Sequence, residues 1–250
     1  MLTAKRHALI IEQLHKQASV TIQELVNLMD ASESTIRRDL SELEKKDLLK
    51  RVHGGAMRIN DTHAEPSYQE KVGQQTREKQ KIAQVAADQL NDFDVIYLDA
   101  GTTTHAMIPY LKDRNITVIT NGLMHLPELE RYQIRTYLIG GQVKHKTGAI
   151  VGTVALKQLN AYHFDASFIG TNAIDERFGY STPDPEEAEI KHKALLQGKR
   201  RFILADETKL NTKSSYQIAT LNEATFIVDK LSKSMRTRLE KQTTVKVAKS

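Results

Sequence analysis

The chain of 250 residues contains no cysteine. Disulfide bonds, a thiolate nucleophile and thiolate metal ligation are therefore excluded together. It also lacks any apolar run long enough to cross a bilayer, and its first residues lead into an amphipathic segment carrying Lys5 and Arg6 rather than an apolar leader. Cytoplasmic residence and no membrane partner are expected on those grounds. His105, His125, His145, His163 and His192 show no metal-ligand spacing, so neither a metal nor a cofactor is expected. The Gly-Lys-Ser/Thr ending of a nucleotide P-loop and the spaced glycines of a dinucleotide fingerprint are both missing. A formal net charge of +5 is compatible with an anionic partner and too mild to establish one.

What is present begins with three amphipathic segments. Leu9, Ile10 and Leu14 recur at helical spacing, then Ile22, Leu25, Val26 and Met29, then Ile36, Leu40 and Leu43. Thr21 is placed to cap the second segment, with Glu24 completing a capping box, and Ser32 is placed to cap the third. The third leaves Ser34, Thr35, Arg37 and Arg38 on its more exposed side, next to Asp39. Such a face either enters a major groove or is the solvated, ion-paired side of an ordinary helix. Around Gly54-Gly55 the pattern changes to two extended pieces, a hairpin carrying Lys50, Arg51, His53 and Arg58. Three helices followed by a basic hairpin favour a winged helix-turn-helix that binds double-stranded DNA.

Residues 59–75 lack a sustained apolar period and read as a linker between a headpiece over 1–58 and a second domain over 76–250. In the second domain a helix from about Thr76 precedes an apolar strand at Asp94–Asp99. Further strands are expected at Ile116–Thr120, Ile134–Ile139, Asp165–Ile169, Arg201–Ala205, Thr225–Asp229 and Thr244–Val247, with helices between them. The alternation predicts an α/β fold with a mostly parallel sheet covered on both faces.

Ligands of such sheets bind beyond the carboxyl ends of the strands. At those ends stand Asp99, Gly101, Thr102, Thr103 and Thr104, then Asn121, Gly141 with Lys144, Asn172, and Asp206 with Lys209. The threonine loop is either a phosphate cradle at a helix start or a turn capped by its own hydroxyls. Together the groups favour a small phosphorylated polar ligand, with asparagines suited to sugar hydroxyls and Lys209 to phosphate. Glu189 and Lys193, on one helical face, with Asp206, are candidates for proton transfer in an aldose-ketose isomerisation, although a solvated i,i+4 pair is the more frequent explanation of that spacing.

Ser32-Glu-Ser-Thr-Ile-Arg-Arg-Asp-Leu40, Glu42-Leu-Glu44 and Arg51-Val-His-Gly-Gly-Ala56 resemble the N-terminal signature of the DeoR family of bacterial transcriptional repressors. Tyr97–Thr104, Val118–Gly122, Leu138–Gly141, Phe168–Gly170 and Ala205-Asp206 with Lys209 resemble its effector-domain blocks. The resemblance implies a winged helix-turn-helix followed by a non-catalytic sugar-phosphate-sensing domain related in fold to ribose-5-phosphate isomerase. It implies operator binding by Ser34, Thr35, Arg37 and Arg38 with Lys50, Arg51 and His53, and an effector site contacted or shaped by Gly101, Thr102, Thr103, Thr104, Asn121, Gly141 and Lys209. Within the family, Ala31–Thr35, Lys144–Ala149 and Ser181–Pro185 look most like regulators of fructose operons in Gram-positive bacteria, which implies fructose 1-phosphate as effector. Leu210 departs from the aromatic residue common after the lysine. Two headpieces on matching half-sites call for a homodimer or homotetramer. Phosphate engagement at Thr102–Thr104 and Lys209 is expected to shift the start of the helix near Gln74–Lys79 and so the linker. The alternatives are an isomerase-like enzyme fused to a DNA-binding module, and a DNA-binding protein whose α/β domain only oligomerises.

Overall fold

In a computed structural model, residues 3–17, 19–46, 48–52, 54–57 and 66–248 are described, and the chain divides into two compact units over 1–61 and 62–250. The first contains α1 (Thr3–Lys16), β1 (Ser19–Thr21), α2 (Ile22–Met29), α3 (Glu33–Lys45), β2 (Lys50–Val52) and β3 (Gly55–Met57). Ile10, Leu14, Leu25, Ile36, Leu40 and Leu43 meet in its core, as their helical spacing requires. The helix starts are encoded locally. The Thr21 hydroxyl accepts the Glu24 amide while the Glu24 carboxylate accepts the Thr21 amide at 2.7 Å, and the Ser32 hydroxyl accepts the Thr35 amide at 3.3 Å.

The hairpin of β2 and β3 gains a third strand that the sequence pattern does not reveal: β1 pairs antiparallel with β3, giving the order β1-β3-β2. Gly54 makes the turn at φ +85°, whereas a Cβ on Gly55 would stand 2.0 Å from the Val20 carbonyl oxygen. The second glycine is thus required by the close approach of β1. Asp39, read from sequence as part of an exposed charged face, is buried instead. Its carboxylate accepts from Arg6 Nε at 2.6 Å and Nη2 at 3.0 Å, with His7 Nε2 at 3.2 Å, and so ties α3 to α1. Burial pushes the Asp39 carboxyl up, but the Arg6 guanidinium and His7 outweigh it and leave the group below its ordinary value.

The second unit opens with α4 (Tyr68–Val72), a short helix inside the stretch expected to be linker, and α5 (Thr76–Ala87). Then follow β4 (Val95–Leu98), α6 (Thr102–His105), β5 (Thr117–Thr120), α7 (Leu126–Arg131), β6 (Arg135–Leu138), β7 (Gln142–Lys144) and β8 (Ala149–Val151). After α8 (Thr153–Asn160) come β9 (Phe164–Gly170), β10 (Ala173–Asp175), β11 (Gly179–Thr182), α9 (Pro185–Leu196), β12 (Gly198–Leu204) and β13 (Tyr216–Ala219). The unit ends with β14 (Thr225–Val228), α10 (Lys233–Leu239) and β15 (Val245–Val247).

Seven of these strands form one parallel sheet in the order β15-β14-β12-β9-β4-β5-β6. Side chains alternate across it. Tyr97, Ile119, Ile203 and Phe226 pack with α8, α9 and α10 on one face, while Ile96, Leu98, Val118, Phe168 and Ile227 pack with α5 and the segment around Ile108 on the other. Burial on both faces accounts for the near-continuous apolar strands. Two antiparallel pieces, β10-β11-β13 and the β7-β8 ribbon, are additions to the expected parallel architecture.

Replacing Asp39 with alanine strands Arg6 and unlinks α1 from α3. The expected outcome is a headpiece destabilised by about 3 kcal/mol, read by urea unfolding as an early transition absent from the wild type.

Candidate functional site

In the first unit, α3 presents Ser34, Arg37 and Arg38 to solvent, with Thr35 half-buried. The Ser34 and Thr35 hydroxyls gather on Ser32 Oγ at 3.0 and 2.8 Å, so both are held at the helix start. Arg37 is paired with Glu33, one turn earlier, at 2.9 Å through Nε and 2.5 Å through Nη2. Arg38 is exposed and has no hydrogen-bond or ion partner among the described residues. In the hairpin, Lys50 is exposed; Arg51 donates to the Ser41 hydroxyl at 2.8 Å, and Ser41 donates to the Arg37 carbonyl at 2.9 Å. This chain of bonds fixes the hairpin against α3. His53 and Arg58 lie outside the described residues.

In the second unit, β4 leads outward to β5 and β6 on one side, whereas β9 lies on its other side. The loops after β4 and β9 therefore flank the point where strand order reverses, the usual crevice of an open α/β sheet. Asp99 occupies it. Only 1% exposed, its Oδ2 accepts from the Gly170 amide at 3.0 Å and from the Lys191 ammonium, itself buried.

Several residues expected as open ligand contacts are instead engaged by the protein itself. Thr104 is buried and its hydroxyl is within bonding distance of the carbonyl oxygens of Asp99 (2.5 Å) and Gly101 (2.7 Å). Asn121 is buried, accepting from the Ala100 amide at 3.1 Å and donating to the Ile150 carbonyl at 3.0 Å. Asp206 is buried and accepts the Thr208 amide at 3.1 Å as well as the Thr208 hydroxyl. Asn172 accepts from the Thr182 hydroxyl at 3.1 Å. Lys144 is ion-paired with Asp184 and lies 3.8 Å from Glu187. Gly141 stands on the turn into β7, where a Cβ would meet the Val151 carbonyl oxygen at 2.7 Å. Gly101, Thr102, Thr103 and Lys209 are partly exposed, and Lys209 has no ion partner among the described residues; Gly141 is exposed, and Lys144 and Asn172 are partly exposed as well. Amides at the start of a helix have no acceptor within it, so Thr102 and Thr103 offer main-chain donors beside their hydroxyls.

On α9 the solvated reading of Glu189 and Lys193 fits the structure, and a second pair two residues earlier goes unnoticed in the sequence. Glu189 is exposed and Lys193 only partly covered, whereas Glu187 and Lys191, at the same spacing two residues earlier, are buried. Glu187 accepts from the Thr147 hydroxyl at 2.7 Å. Alternation of Ile190, Ala194 and Leu195 with the charges was the available signal, because these apolar residues define the inward side of the helix. Between the two carboxylates Tyr97 is fully buried with no hydrogen-bond partner for its hydroxyl, and burial together with Asp99 and Glu187 pushes its pKa well above the ordinary value.

Behind the threonine loop, His125 is completely buried. The single Thr120 hydroxyl proton goes to the Leu98 carbonyl at 2.6 Å, so the ring donates from Nδ1 to Thr120 Oγ1 at 3.1 Å. Burial, with a smaller effect from His105, pushes its pKa down to about 3 against a weak opposing pull from the Gly101 carbonyl.

Two family descriptions match the chain: a DeoR-like helix-turn-helix domain over residues 6–62 and a DeoR C terminal sensor domain over residues 74–230. An uncharacterized HTH-type transcriptional regulator of Bacillus subtilis, FruR, is 48% identical over 100% of both chains. The lactose phosphotransferase system repressor of Staphylococcus aureus is 34% identical over 88% of each. Among solved structures, the sorbitol operon regulator SorC of Klebsiella pneumoniae is 13% identical over 81% of this chain and 90% of its own, with a TM-score of 0.39. Ribose 5-phosphate isomerase A of Methanocaldococcus jannaschii is 19% identical over 53% of each, with a TM-score of 0.40. Among the described residues no helix is long and apolar enough to cross a membrane.

Replacing Lys191 with methionine leaves the Asp99 carboxylate buried without its cation, and a loss of about 3–5 kcal/mol is expected. Adding Asp99→Asn should restore part of it in urea unfolding of the double variant. The neutral His125 makes stability fall as pH drops from 6.5 towards 3, since the unfolded chain takes up a proton that the folded one refuses, with a limiting slope of about 1.4 kcal/mol per pH unit. Unfolding free energies of His125→Gln across that range should show a slope shallower by that amount.

Proposed function

We propose a specific role for this chain, which belongs to the DeoR family of transcriptional regulators: it represses an operon for the use of a sugar, fructose, and leaves its operator when fructose 1-phosphate fills the rim of the sensor domain. On family grounds the chain is a regulator rather than an enzyme. The observation that carries the effector reading is the open set at the strand-order reversal. Thr102 and Thr103 bring hydroxyls and main-chain amides, and Lys209 brings a cation with no ion partner among the described residues. That set matches the doubly charged, acceptor-rich end of a sugar phosphate. The name FruR of one relative is consistent with fructose, and the lactose phosphotransferase repressor with a sugar-linked role.

In the headpiece, α3 enters the major groove. Arg38 is the base-reading residue of choice, because it can donate two hydrogen bonds to guanine without first leaving a partner. Arg37, Lys50 and Arg51 serve phosphates, and Ser34 and Thr35 the backbone or a base edge. Two headpieces of a homodimer or homotetramer cover two half-sites, and effector binding favours an arrangement in which they no longer match.

A mobility shift with DNA from upstream of the chain's own gene, repeated with fructose 1-phosphate, fructose 6-phosphate, fructose 1,6-bisphosphate and tagatose 6-phosphate, tests both halves. Release by fructose 1-phosphate alone supports the assignment; retention of DNA in all four overturns it. Arg38→Ala should weaken operator binding by about 1–3 kcal/mol with effector affinity unchanged. Lys209→Ala should bind the operator normally and fail to release it.

A further inference from the structure

The edge strands of the sensor-domain sheets are not protected alike. On β10 the Ile174 carbonyl accepts the Thr212 amide at 3.3 Å, and on β13 the Ile218 carbonyl accepts from His192 Nδ1 at 2.7 Å. β15 carries Lys246, a charge of the kind that keeps sheet edges from pairing. β6 has no such protection. It is bonded on one side only, to β5, and it exposes Tyr137 (43%) and Leu138 (37%). Arg135, its one charge, lies back along the strand, donating to the Tyr137 hydroxyl at 3.0 Å with its guanidinium 5.7 Å from the ring centroid.

The main chain shows how much of this edge is open. The Ile139 amide donates to the Thr120 carbonyl of β5 at 2.8 Å. Successive residues of a strand aim their amides and carbonyls to opposite sides, so Arg135 and Tyr137 also face β5 while Thr136 and Leu138 face outward. The outward row is bounded at both ends. The Ile134 amide donates to the Leu129 carbonyl at 3.0 Å, the Ile134 carbonyl accepts from the Thr136 hydroxyl at 2.8 Å, and the Gly140 amide donates to Gln158 Oε1 at 2.9 Å. Between these bounds the amides and carbonyls of Thr136 and Leu138 have no partner among the described residues. Gln158 belongs to α8, where Val154, one turn earlier on the same face, is exposed as well.

We propose that β6 is the surface on which two copies of this chain join, each open edge pairing with the other about a two-fold axis through Tyr137. An axis perpendicular to the sheet sets like edges antiparallel and makes the contact self-complementary. With Tyr137 opposite the partner's Tyr137, each Thr136 amide donates to the partner's Leu138 carbonyl and each Leu138 amide to the partner's Thr136 carbonyl. Four hydrogen bonds then use every open group on both edges. Centring the axis on Thr136 or Leu138 instead sets an open residue against Ile134 or Gly140, whose groups are already engaged. The occupant is a second copy because the edge matches itself completely and presents no charge that would repel its like. A homo-oligomer belongs to the repressor reading; the surface that forms it is the new element, and its test needs neither DNA nor sugar.

Because the chain has no cysteine, Tyr137→Cys supplies a single thiol in each copy. Across the paired edge the two Cα atoms stand about 4.5 Å apart, within reach of a disulfide, whereas in Arg135→Cys they stand about 14 Å apart. Oxidation of the full-length proteins, read on non-reducing gels, should link Tyr137→Cys into a covalent dimer and leave Arg135→Cys unlinked. Leu138→Pro keeps an edge strand but removes its outward amide. In sedimentation equilibrium its dissociation constant should rise about thirtyfold or more above the wild type, for two hydrogen bonds lost per dimer. Failure of Tyr137→Cys to link, equal linking of both cysteine variants, or a Leu138→Pro that associates as tightly as the wild type overturns the proposal. If the wild type is oligomeric in that case, the homo-oligomer of the repressor reading stands on another surface. A wild type that is monomeric throughout overturns both.

Discussion

The sensor domain is organised around a carboxylate removed from water. Asp99, at the end of the first strand of the sheet, is held by the Lys191 ammonium from α9 and the Gly170 amide from the neighbouring β9. Burying two charges carries a desolvation penalty of several kcal/mol per ion, which their attraction offsets only when hydrogen bonds complete the geometry. The arrangement is therefore poor as a source of stability and good as a locator. It fixes the loop after β4 against the strand across the order reversal. Thr104 and Asn121 reinforce that loop from below and from β5. With the buried groups committed to one another, Thr102 and Thr103 remain partly exposed, while the Gly101 amide donates to the Asp99 carbonyl at 2.8 Å. The polar atoms of the floor answer each other, whereas the Thr102 and Thr103 hydroxyls have no partner among the described residues.

How far such a site can be read from sequence depends on the range of the contact that defines each residue. Capping is local, so Thr21, Glu24 and Ser32 are legible from spacing of three residues. The parallel strands are legible from apolar runs such as Val95–Leu98, and the hairpin from Gly54-Gly55. The role of Asp99 is not, because its partner lies 92 positions further on. Asp39 looks like a surface charge until Arg6, 33 residues earlier, is brought against it. Sequence marks Asn121 as polar after a strand, which fits a ligand and a loop staple equally. The Ala100 amide and the Ile150 carbonyl on its two ends show the staple, from partners far off in the chain. On α9 the sequence shows Glu189 and Lys193 as a solvated pair but does not single out Glu187 and Lys191, since a charge pair at i,i+4 recurs along the helix and burial alone separates the two. The strand β1 is hidden for a different reason: three residues are too few for a period.

The two basic residues at the heart of α3 differ in availability. Arg37 begins in an exposed ion pair with Glu33, a contact worth only a few tenths of a kcal/mol on a helix surface and further screened by salt. The guanidinium of Arg37 can therefore exchange Glu33 for another acceptor at little cost. Arg38 needs no such exchange. The Arg51–Ser41–Arg37 chain positions the hairpin and helix as one unit, so a groove that accepts α3 also receives the hairpin in a set register. Preorganisation of this kind limits the ordering entropy lost on binding.

A sensor domain that alters operator affinity must supply a coupling free energy. Allosteric coupling energies usually fall at about 1–3 kcal/mol. A hydrogen bond from a charged donor contributes about 1.5–3 kcal/mol net, so one charged contact made or lost lies in that range without any rearrangement of the hydrophobic core. The core is in fact ill suited to such a switch, since Ile82, Ala83 and Ala86 of α5 are closed against Ile96 and Leu98 of β4, and close-packed interiors resist small continuous shifts. Movement is cheaper at the end of α5, where Gln75 already departs from ordinary backbone geometry and the short α4 buries no residue of its own completely.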